Sequence, residues 1–258
     1  MNHNDSTATS CRQKLAAWLA SPLGERVVQV ELEQMQQILP ELFGYHIIQY
    51  GMSNGVDYLG TSKIGNKSYL CLDATEIHGN MNCVMAEAEH LPVAANSIDV
   101  AVLPHVLQFS RDPHRLLREL DRILIDDGHV VITGINRFSL WGLWHLFFCW
   151  WDNMPWTGKL ISIPRMKDWL SLLDFEIRQT YYGFYAPPLR STKWLQWFKP
   201  MERLGRFCWP FLGGLYVIVA KKRVVPLNPI KMQWQSKRQL IGSGMAEPTA
   251  RNPVQRNG

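Results

Sequence analysis

The stretch NSIDVAVLPHVLQF, residues 96–109, decides the fold class of this chain. Ile98 to Leu103 is an apolar run of strand length, with polar turn residues before it and Pro104 after it. Asp112 then predicts a helix N-cap, because the segment after it places leucine and isoleucine on one helical face. A buried strand followed by an amphipathic helix is the repeating unit of parallel α/β sheets.

The same alternation extends to both sides of this stretch. Three earlier strands are predicted in YHIIQYG, KSYLCLD and NCVMAEAE, and a later one in HVVITG, after a turn at DDG (residues 126–128). The first forty-odd residues are helical in pattern, with Ser21 and Pro22 at a helix start. EIRQTYYGFY and GGLYVIVAKK predict a closing antiparallel hairpin at the sheet edge. We therefore expect an α/β fold with a mostly parallel sheet covered on both faces.

Charge is concentrated in one segment. The formal net charge is +5, and the residues from Val224 onward hold five lysines and arginines against a single acid. This segment contains several prolines and little apolar periodicity, so we expect a disordered basic tail. Since the rest of the chain is nearly neutral, nucleic acid is not the expected partner.

The cysteines and the apolar runs argue against a metal-binding, a membrane-spanning or a secreted protein. Cys11, Cys71, Cys83, Cys149 and Cys208 form no C-x-x-C pair and have no histidines at ligand spacing, which predicts reduced thiols and no metal. No apolar run approaches the roughly 18 residues of a membrane span, and no cationic segment precedes an apolar core at the N-terminus. We expect a cytoplasmic protein without a transmembrane segment, and the oligomeric state stays open.

The pieces between Tyr45 and Gly134 resemble the class I S-adenosylmethionine-dependent methyltransferases, specifically the type 11 methyltransferase domain. Four features stand in the same order as in that family: an acid before LP, then NSIDVAVLPHVLQF, then LLREL and RIL, and then DDGHVVITG. The extension through NRFSLWGLW and SIPRMKDWLSLLDFE is similar to a bacterial subset, the YafS-like proteins. The resemblance implies a Rossmann-like fold with a seven-stranded, mostly parallel sheet flanked by helices, and S-adenosylmethionine as cofactor.

Pattern and resemblance together divide the chain into four segments. We expect an N-terminal helical cap over residues 1–44 and the cofactor-binding half of the domain over residues 45–134. An aromatic-rich acceptor or lid half with the last strands would cover residues 135–223. Residues 224–258 form the basic tail.

The first loop carries a thinned version of the family pattern. Where the family has an acid and then glycines at alternate positions, this chain has Gln49, Gly51, Ser53 and Gly55. The two glycines permit a tight turn and close backbone approach, and Ser53 is small. Gln49 replaces the acid, which predicts weaker or differently arranged cofactor binding. By themselves, the glycines are equally consistent with a simple structural turn.

Two further acids are cofactor candidates by resemblance. Asp73 ends the second strand, where a carboxylate would accept hydrogen bonds from both ribose hydroxyls. Glu87 occupies the position of the acid beside the adenine, and the backbone amide of Ala88 or Glu89 would meet a ring nitrogen. The alternatives are a strand-end acid that caps a turn and an exposed loop acid.

The end of the fourth strand is where cofactor sulfonium and acceptor meet in the family. Leu103 and Pro104 are therefore cofactor-binding candidates, and His105 is the catalytic candidate, as a base or as a positioning group. The alternative for His105 is a packed histidine bonded to backbone. His145 is a weaker candidate because it lies in an apolar stretch.

The aromatic second half bears on the acceptor. Nine of the eleven tryptophans fall between Trp141 and Trp209. If SLWGLWHLFFCWW and YYGFYAPP form a lid, they favour a small hydrophobic or aromatic acceptor, although such residues also fit a core or a surface anchor. The predicted function is methyl transfer from S-adenosylmethionine. The alternative is a non-catalytic methyltransferase-like binding protein with a degenerate cofactor loop.

Overall fold

The computed structural model describes residues 14–51, 55–72, 83–88, 90–139, 141–142, 160–185 and 209–223. The strands are β1 (His46–Tyr50), β2 (Asn66–Cys71), β3 (Cys83–Met85), β4 (Ile98–Pro104), β5 (Leu124–Ile135), β6 (Phe175–Gly183) and β7 (Leu215–Lys222). The helices are α1 (Pro22–Ile38), α2 (Val106–Phe109), α3 (Pro113–Ile123) and α4 (Ile163–Leu172), with 3-10 turns at Leu39–Glu41 and Pro210–Leu212. Residues 14–19 are also helical.

The described strands form one seven-stranded sheet in the order β3-β2-β1-β4-β5-β7-β6. Strands β1 to β5 pair in parallel, whereas β7 runs antiparallel to both β5 and β6. The mostly parallel sheet and the closing hairpin are therefore confirmed. Strand order reverses between β1 and β4, and ligands of open α/β sheets bind at the carboxyl ends of strands beside such a point.

Helices cover both faces because alternate strand residues point to opposite sides. On one face α3 and α4 pack against the sheet through residues that include Leu103, Leu116, Leu120, Ile132, Met166 and Leu170. On the other face α1 packs through Met35 and Ile38 against Ile47, Val102, Val131 and Val217. Among the described helices, none combines the length and the apolar character that crossing a bilayer demands.

Helix α1 starts where the sequence predicts. The Ser21 side chain accepts a hydrogen bond from the Gly24 amide, and Pro22 occupies the first turn, where its missing N–H costs no hydrogen bond. Its buried face carries leucine, valine, methionine and isoleucine, together with Glu31. A carboxylate in an otherwise apolar stripe requires partners, because an unpaired buried charge is strongly unfavourable.

The expected turn at residues 126–128 is wrong. These residues lie inside β5, where the pairing with β4 shifts register between Ile98 and Val100. Asp127 adopts a positive φ of 66°, and its carboxylate lies 2.8 Å from Lys221 Nζ on the neighbouring β7. The strand therefore absorbs the DDG residues as an irregularity, which breaks the ladder locally without reversing the chain.

The prediction of reduced thiols is wrong for two of the five cysteines. Cys71 and Cys83 form a disulfide, with their Cα atoms 6.1 Å apart. The parallel pairing of β2 with β3 sets Tyr69 opposite Cys83 and Cys71 opposite Met85, so the bridge joins two neighbouring strands. Because the pairing register is a tertiary property, the spacing of the cysteines in the sequence did not reveal it.

Candidate active site

The carboxyl ends of the parallel strands meet at one edge of the sheet, which we call the carboxyl edge. The register sets Tyr50 opposite Leu70 and Cys71 opposite Met85, so β1, β2 and β3 end together. Pro104 at the end of β4 lies opposite Thr133 near the end of β5. The segments after β1, β3 and β4 therefore leave the sheet at the same edge, and ligands of open parallel sheets bind at this kind of edge.

The loop after β1 depends on two left-handed glycines. Gly51 has φ 85° and Gly55 has φ 65°, conformations that residues with a Cβ rarely adopt. The Gly51 amide donates to the Leu70 carbonyl at 2.8 Å, and a Cβ added at Gly51 would overlap Cγ2 of Val106. Glycine is thus required at position 51 by both backbone and space. Ser53 lies outside the described residues.

Gln49 organises this loop in place of the acid that the family carries. Its buried side chain donates from Nε2 to the Val56 carbonyl at 2.8 Å and accepts at Oε1 from the Tyr58 amide at 3.0 Å. A carboxylate accepts hydrogen bonds but has no proton to donate when ionised, so it would satisfy only one of these two partners. The departure at position 49 therefore accompanies a differently built loop.

The predicted residues after β3 lie at the carboxyl edge. The Ala86 amide donates to the Cys71 carbonyl at 2.8 Å, which fixes the end of β3 against the end of β2. Glu87 is exposed and forms an isolated antiparallel bridge with His90, while Ala88 is half-buried. Glu87 is thus available to a ligand. Asp73 lies outside the described residues.

Leu103 and Pro104 are the last two residues of β4, and both are buried. Leu103 is fully buried in the core on the α3 face, and Pro104 is also buried. Their contribution to a cofactor site would therefore come through the backbone at the end of β4.

His105 occupies that next position in a left-handed conformation, with φ 55° and ψ −1°. Its amide donates to the Thr133 carbonyl at 3.2 Å, and its ring is only 2% exposed. The ring Nε2 lies 2.8 Å from Oε1 of Glu31, whose side chain is 0% exposed. Non-glycine residues in this backbone region persist only where their surroundings hold them, and here the Glu31 carboxylate and the Thr133 carbonyl do so.

Glu31 has a second partner in Tyr58. The Tyr58 hydroxyl donates to Glu31 Oε2 at 2.8 Å, so one carboxylate joins the loop after β1 to the end of β4. We call Gln49, Tyr58, Glu31 and His105 the buried network. It connects α1, β1, the first loop and β4 beneath the carboxyl edge.

Burial and the charge of Glu31 together set the electrostatics of this network. Burial acts to lower the pKa of His105, but the charge of Glu31 and the close approach of the Glu31 and Gln108 side chains outweigh it, so the pKa is raised above its ordinary value. Burial, and then the charge of Glu31 and the hydrogen bond to it, raise the pKa of Tyr58 well above its ordinary value. The arrangement therefore favours a protonated ring beside a carboxylate and a neutral phenol.

Sequence reasoning missed Glu31 and Tyr58. A signal for Glu31 was present, because it lies between Val27 and Met35 at helical spacing on the buried face of α1. No comparable signal marked Tyr58, which reaches Glu31 only through the folded loop. The described residues contain no cluster of histidine, cysteine and acidic side chains suited to a metal ion.

The two-sided hydrogen bonding of Gln49 predicts that Gln49→Glu destabilises the protein, although an acid is usual at this position in the family. The ionised side chain would face the Val56 carbonyl without a proton to donate, at a cost of about 1–3 kcal/mol in the free energy of unfolding. Urea unfolding at pH 8 measures it. Gln36→Glu on the exposed face of α1 is the matched control, and equal stability of the two variants would contradict this account.

The raised pKa of His105 predicts a stability that depends on pH. Because the folded state holds this proton more tightly than the unfolded chain, its contribution is complete below the unfolded pKa of about 6.5 and is lost as pH rises through the folded pKa. The stability gap between wild type and His105→Gln should therefore narrow as pH rises. Urea unfolding from pH 6 to 9 checks this, with exposed His46→Gln as control. A gap independent of pH would argue against the ion pair.

Residues 10–132 match the family described as "Methyltransferase domain". The chain is 33% identical over 235 residues to the uncharacterized protein YafS of Escherichia coli strain K12. The alignment covers 88% of this chain and 90% of YafS. An S-adenosylmethionine-dependent methyltransferase from Thermotoga maritima shares the fold with a TM-score of 0.56 at 18% identity, over 76% of this chain and 89% of that chain. Another from Mesorhizobium loti has a TM-score of 0.52 at 15% identity, over 74% and 96%. Because residues 10–132 match this family and the similarity to YafS runs along most of both sequences, the chain belongs to the methyltransferase domain family, whose cofactor is S-adenosylmethionine.

Proposed function

We propose that this enzyme transfers the methyl group of S-adenosylmethionine to a small, hydrophobic or aromatic acceptor at the carboxyl edge. The observation that supports the acceptor class is a group of exposed aromatic side chains at that same edge. Phe138, Trp209 and Phe211 are 61%, 61% and 71% exposed, and large apolar side chains left in water commonly mark a binding surface.

The topology explains why these aromatics lie there. Phe138 follows the end of β5, and Trp209 and Phe211 precede β7. The start of β7 lies beside the end of β5, because Leu215 pairs with Ile135. Asn136 links the two segments, because its Nδ2 donates to the carbonyl oxygens of Phe211 at 2.9 Å and of Gly213 at 3.1 Å. The aromatic group is thus held at the end of β5 and the start of β7, on the same edge of the sheet as the ends of β1, β3 and β4.

The described residues at this edge fit the cofactor. Gly51 and Gly55 give a loop without side chains at its turns, and the exposed Glu87 carboxylate stands at the end of β3, with Ala88 beside it. We propose these four residues, together with Ser53, Asp73, Leu103 and Pro104, as the cofactor-binding set. Loop backbone and carboxylates of this kind recognise the hydroxyl and amino groups of a nucleoside that carries an amino acid.

When bound, the cofactor supplies an electrophilic methyl group whose leaving group is a neutral thioether. The tasks of the protein are alignment of the acceptor and exclusion of water, because an in-line displacement of this kind needs little acid assistance. The exposed aromatic side chains would hold the acceptor through its apolar surface. The backbone after β1 and β3 would fix the direction of approach.

We propose that His105 acts in this transfer as a positioning group. Its ring is almost wholly buried, and its Nε2 faces the Glu31 carboxylate, which favours a held proton over one taken from an acceptor. In that state it fixes the backbone after β4 where acceptor and sulfonium would meet.

The division of the chain at residues 44, 134 and 223 stays a prediction. The cytoplasmic location also stays a prediction, and the Cys71–Cys83 disulfide bears on it because structural disulfides are uncommon in reducing compartments.

Cofactor binding at the first loop is tested with Gly51→Ala. Since a Cβ there overlaps Val106, the single substitution disturbs packing as well as the loop, so Val106→Ala and the double variant are measured beside it. We expect the double variant to recover packing and still to bind S-adenosylhomocysteine at least about tenfold more weakly than Val106→Ala, because an alanine in the first loop is strained at positive φ. Isothermal titration reports the affinity. Unchanged affinity in the double variant would place the cofactor elsewhere.

The acceptor class is tested by transfer of tritiated methyl from S-adenosylmethionine to a panel of small phenols, indoles and aromatic amines, with RNA and protein as comparison substrates. We expect label in the small aromatic fraction, with a roughly tenfold loss of kcat/KM in Phe211→Ser because apolar contact area is removed. Phe43→Ser is the matched control, as Phe43 is 74% exposed at the opposite edge, before β1. Label in RNA or protein alone would overturn the proposed acceptor.

A further inference from the structure

Helix α1 is not one of the segments that follow the strand ends at the proposed site. It nevertheless contributes a fully buried carboxylate, that of Glu31, which contacts two of those segments. The other buried side chains of this helix are apolar, and Glu31 is the acidic residue among them. An isolated ion in such surroundings costs several kcal/mol or more, so its presence needs the compensation of specific partners. The partners that it has are Tyr58 and His105.

These two partners come from the two segments that the proposed site uses. Tyr58 closes the first loop, because its amide donates to Gln49 at 3.0 Å while its hydroxyl donates to Glu31. His105 follows β4 directly and carries the left-handed turn there. One carboxylate therefore fixes the position of the loop relative to the end of β4.

We infer that Glu31 is a positioning residue that links the first loop to His105, so that the docking of α1 sets the geometry of cofactor binding. The inference rests on the proposed function, because it places the cofactor at the first loop. Through the buried network, a change at Glu31 reaches the loop by Tyr58 and Gln49 and reaches β4 by His105. Energetic coupling of this kind is reciprocal, so a cofactor at the loop also changes the proton affinity of His105.

A purely structural role for Glu31 makes a different prediction. If the carboxylate only contributed to stability, its removal would lower the free energy of unfolding but would leave the affinity of the folded protein for cofactor unchanged. Among the described residues, the titratable groups joined to the His105 ring are Glu31 directly and Tyr58 through Glu31. Two readouts, cofactor affinity and the titration of His105, therefore separate the two roles.

The experiment compares Glu31→Gln with wild type, with cofactor affinity measured at pH 7 and the His105 ring followed over a series of pH values. Isothermal titration with S-adenosylhomocysteine measures affinity, and NMR of protein with labelled histidine follows the His105 ring with and without that ligand. We expect Glu31→Gln to weaken binding about five- to tenfold, to lower the pKa of His105, and to abolish its change on ligand binding. Glu33→Gln is the matched control, since it makes the same change at an exposed position of the same helix.

Tyr58→Phe provides a second variant that keeps the carboxylate and removes one hydroxyl, should Glu31→Gln fail to fold. We expect it to weaken binding by a smaller factor and to be non-additive with His105→Gln, as residues of one network are. Unchanged affinity and an unchanged response of His105 to ligand in folded Glu31→Gln or Tyr58→Phe would overturn the inference. Failure of wild type to bind S-adenosylhomocysteine would instead overturn the proposed function, while the loss of His105 proton affinity in Glu31→Gln would still report the link.

Discussion

The buried carboxylate of Glu31 is the interaction on which the arrangement of the candidate site depends. A charge in an apolar interior is tolerated only when its partners are placed accurately, and Tyr58 and His105 meet both of its oxygens at 2.8 Å. Because these partners belong to the first loop and to the end of β4, neither segment can shift without leaving the charge unsatisfied. Helix α1 covers one face of the sheet and, in the role that we propose for Glu31, also contributes to the site.

The sheet determines where this network stands. Strand order reverses between β1 and β4, so the loops after these two strands diverge to opposite faces and leave room at the carboxyl edge. Gln49 at the end of β1 shows how the loop is held without the usual acid, since one amide serves a donor and an acceptor together. The glutamine that replaces the usual acid is, in the fold, hydrogen-bonded to Tyr58, which is hydrogen-bonded to Glu31, and Glu31 in turn contacts His105 as a charged pair.

Part of the candidate site follows local sequence patterns, and part of it depends on contacts between distant segments. Gly51, Gly55 and His105 are marked by residue type and by position at a strand end, and the structure gives all three a positive φ. The link from Glu31 to His105 spans most of the first half of the fold, so no short window of sequence contains it. The same reason explains the Cys71–Cys83 bridge, which depends on the register between β2 and β3.

The sequence by itself determined the α/β class, the order of strands and helices, and the helix starts at Ser21 and Asp112, because these follow from apolar periodicity and capping between near neighbours. Only the tertiary structure decided that residues 126–128 continue β5, that two cysteines join neighbouring strands, and that a helix carboxylate holds the histidine after β4. Strand register and buried charge pairs depend on contacts between segments that are distant in the sequence. The free energy of those contacts cannot be inferred from any one segment alone.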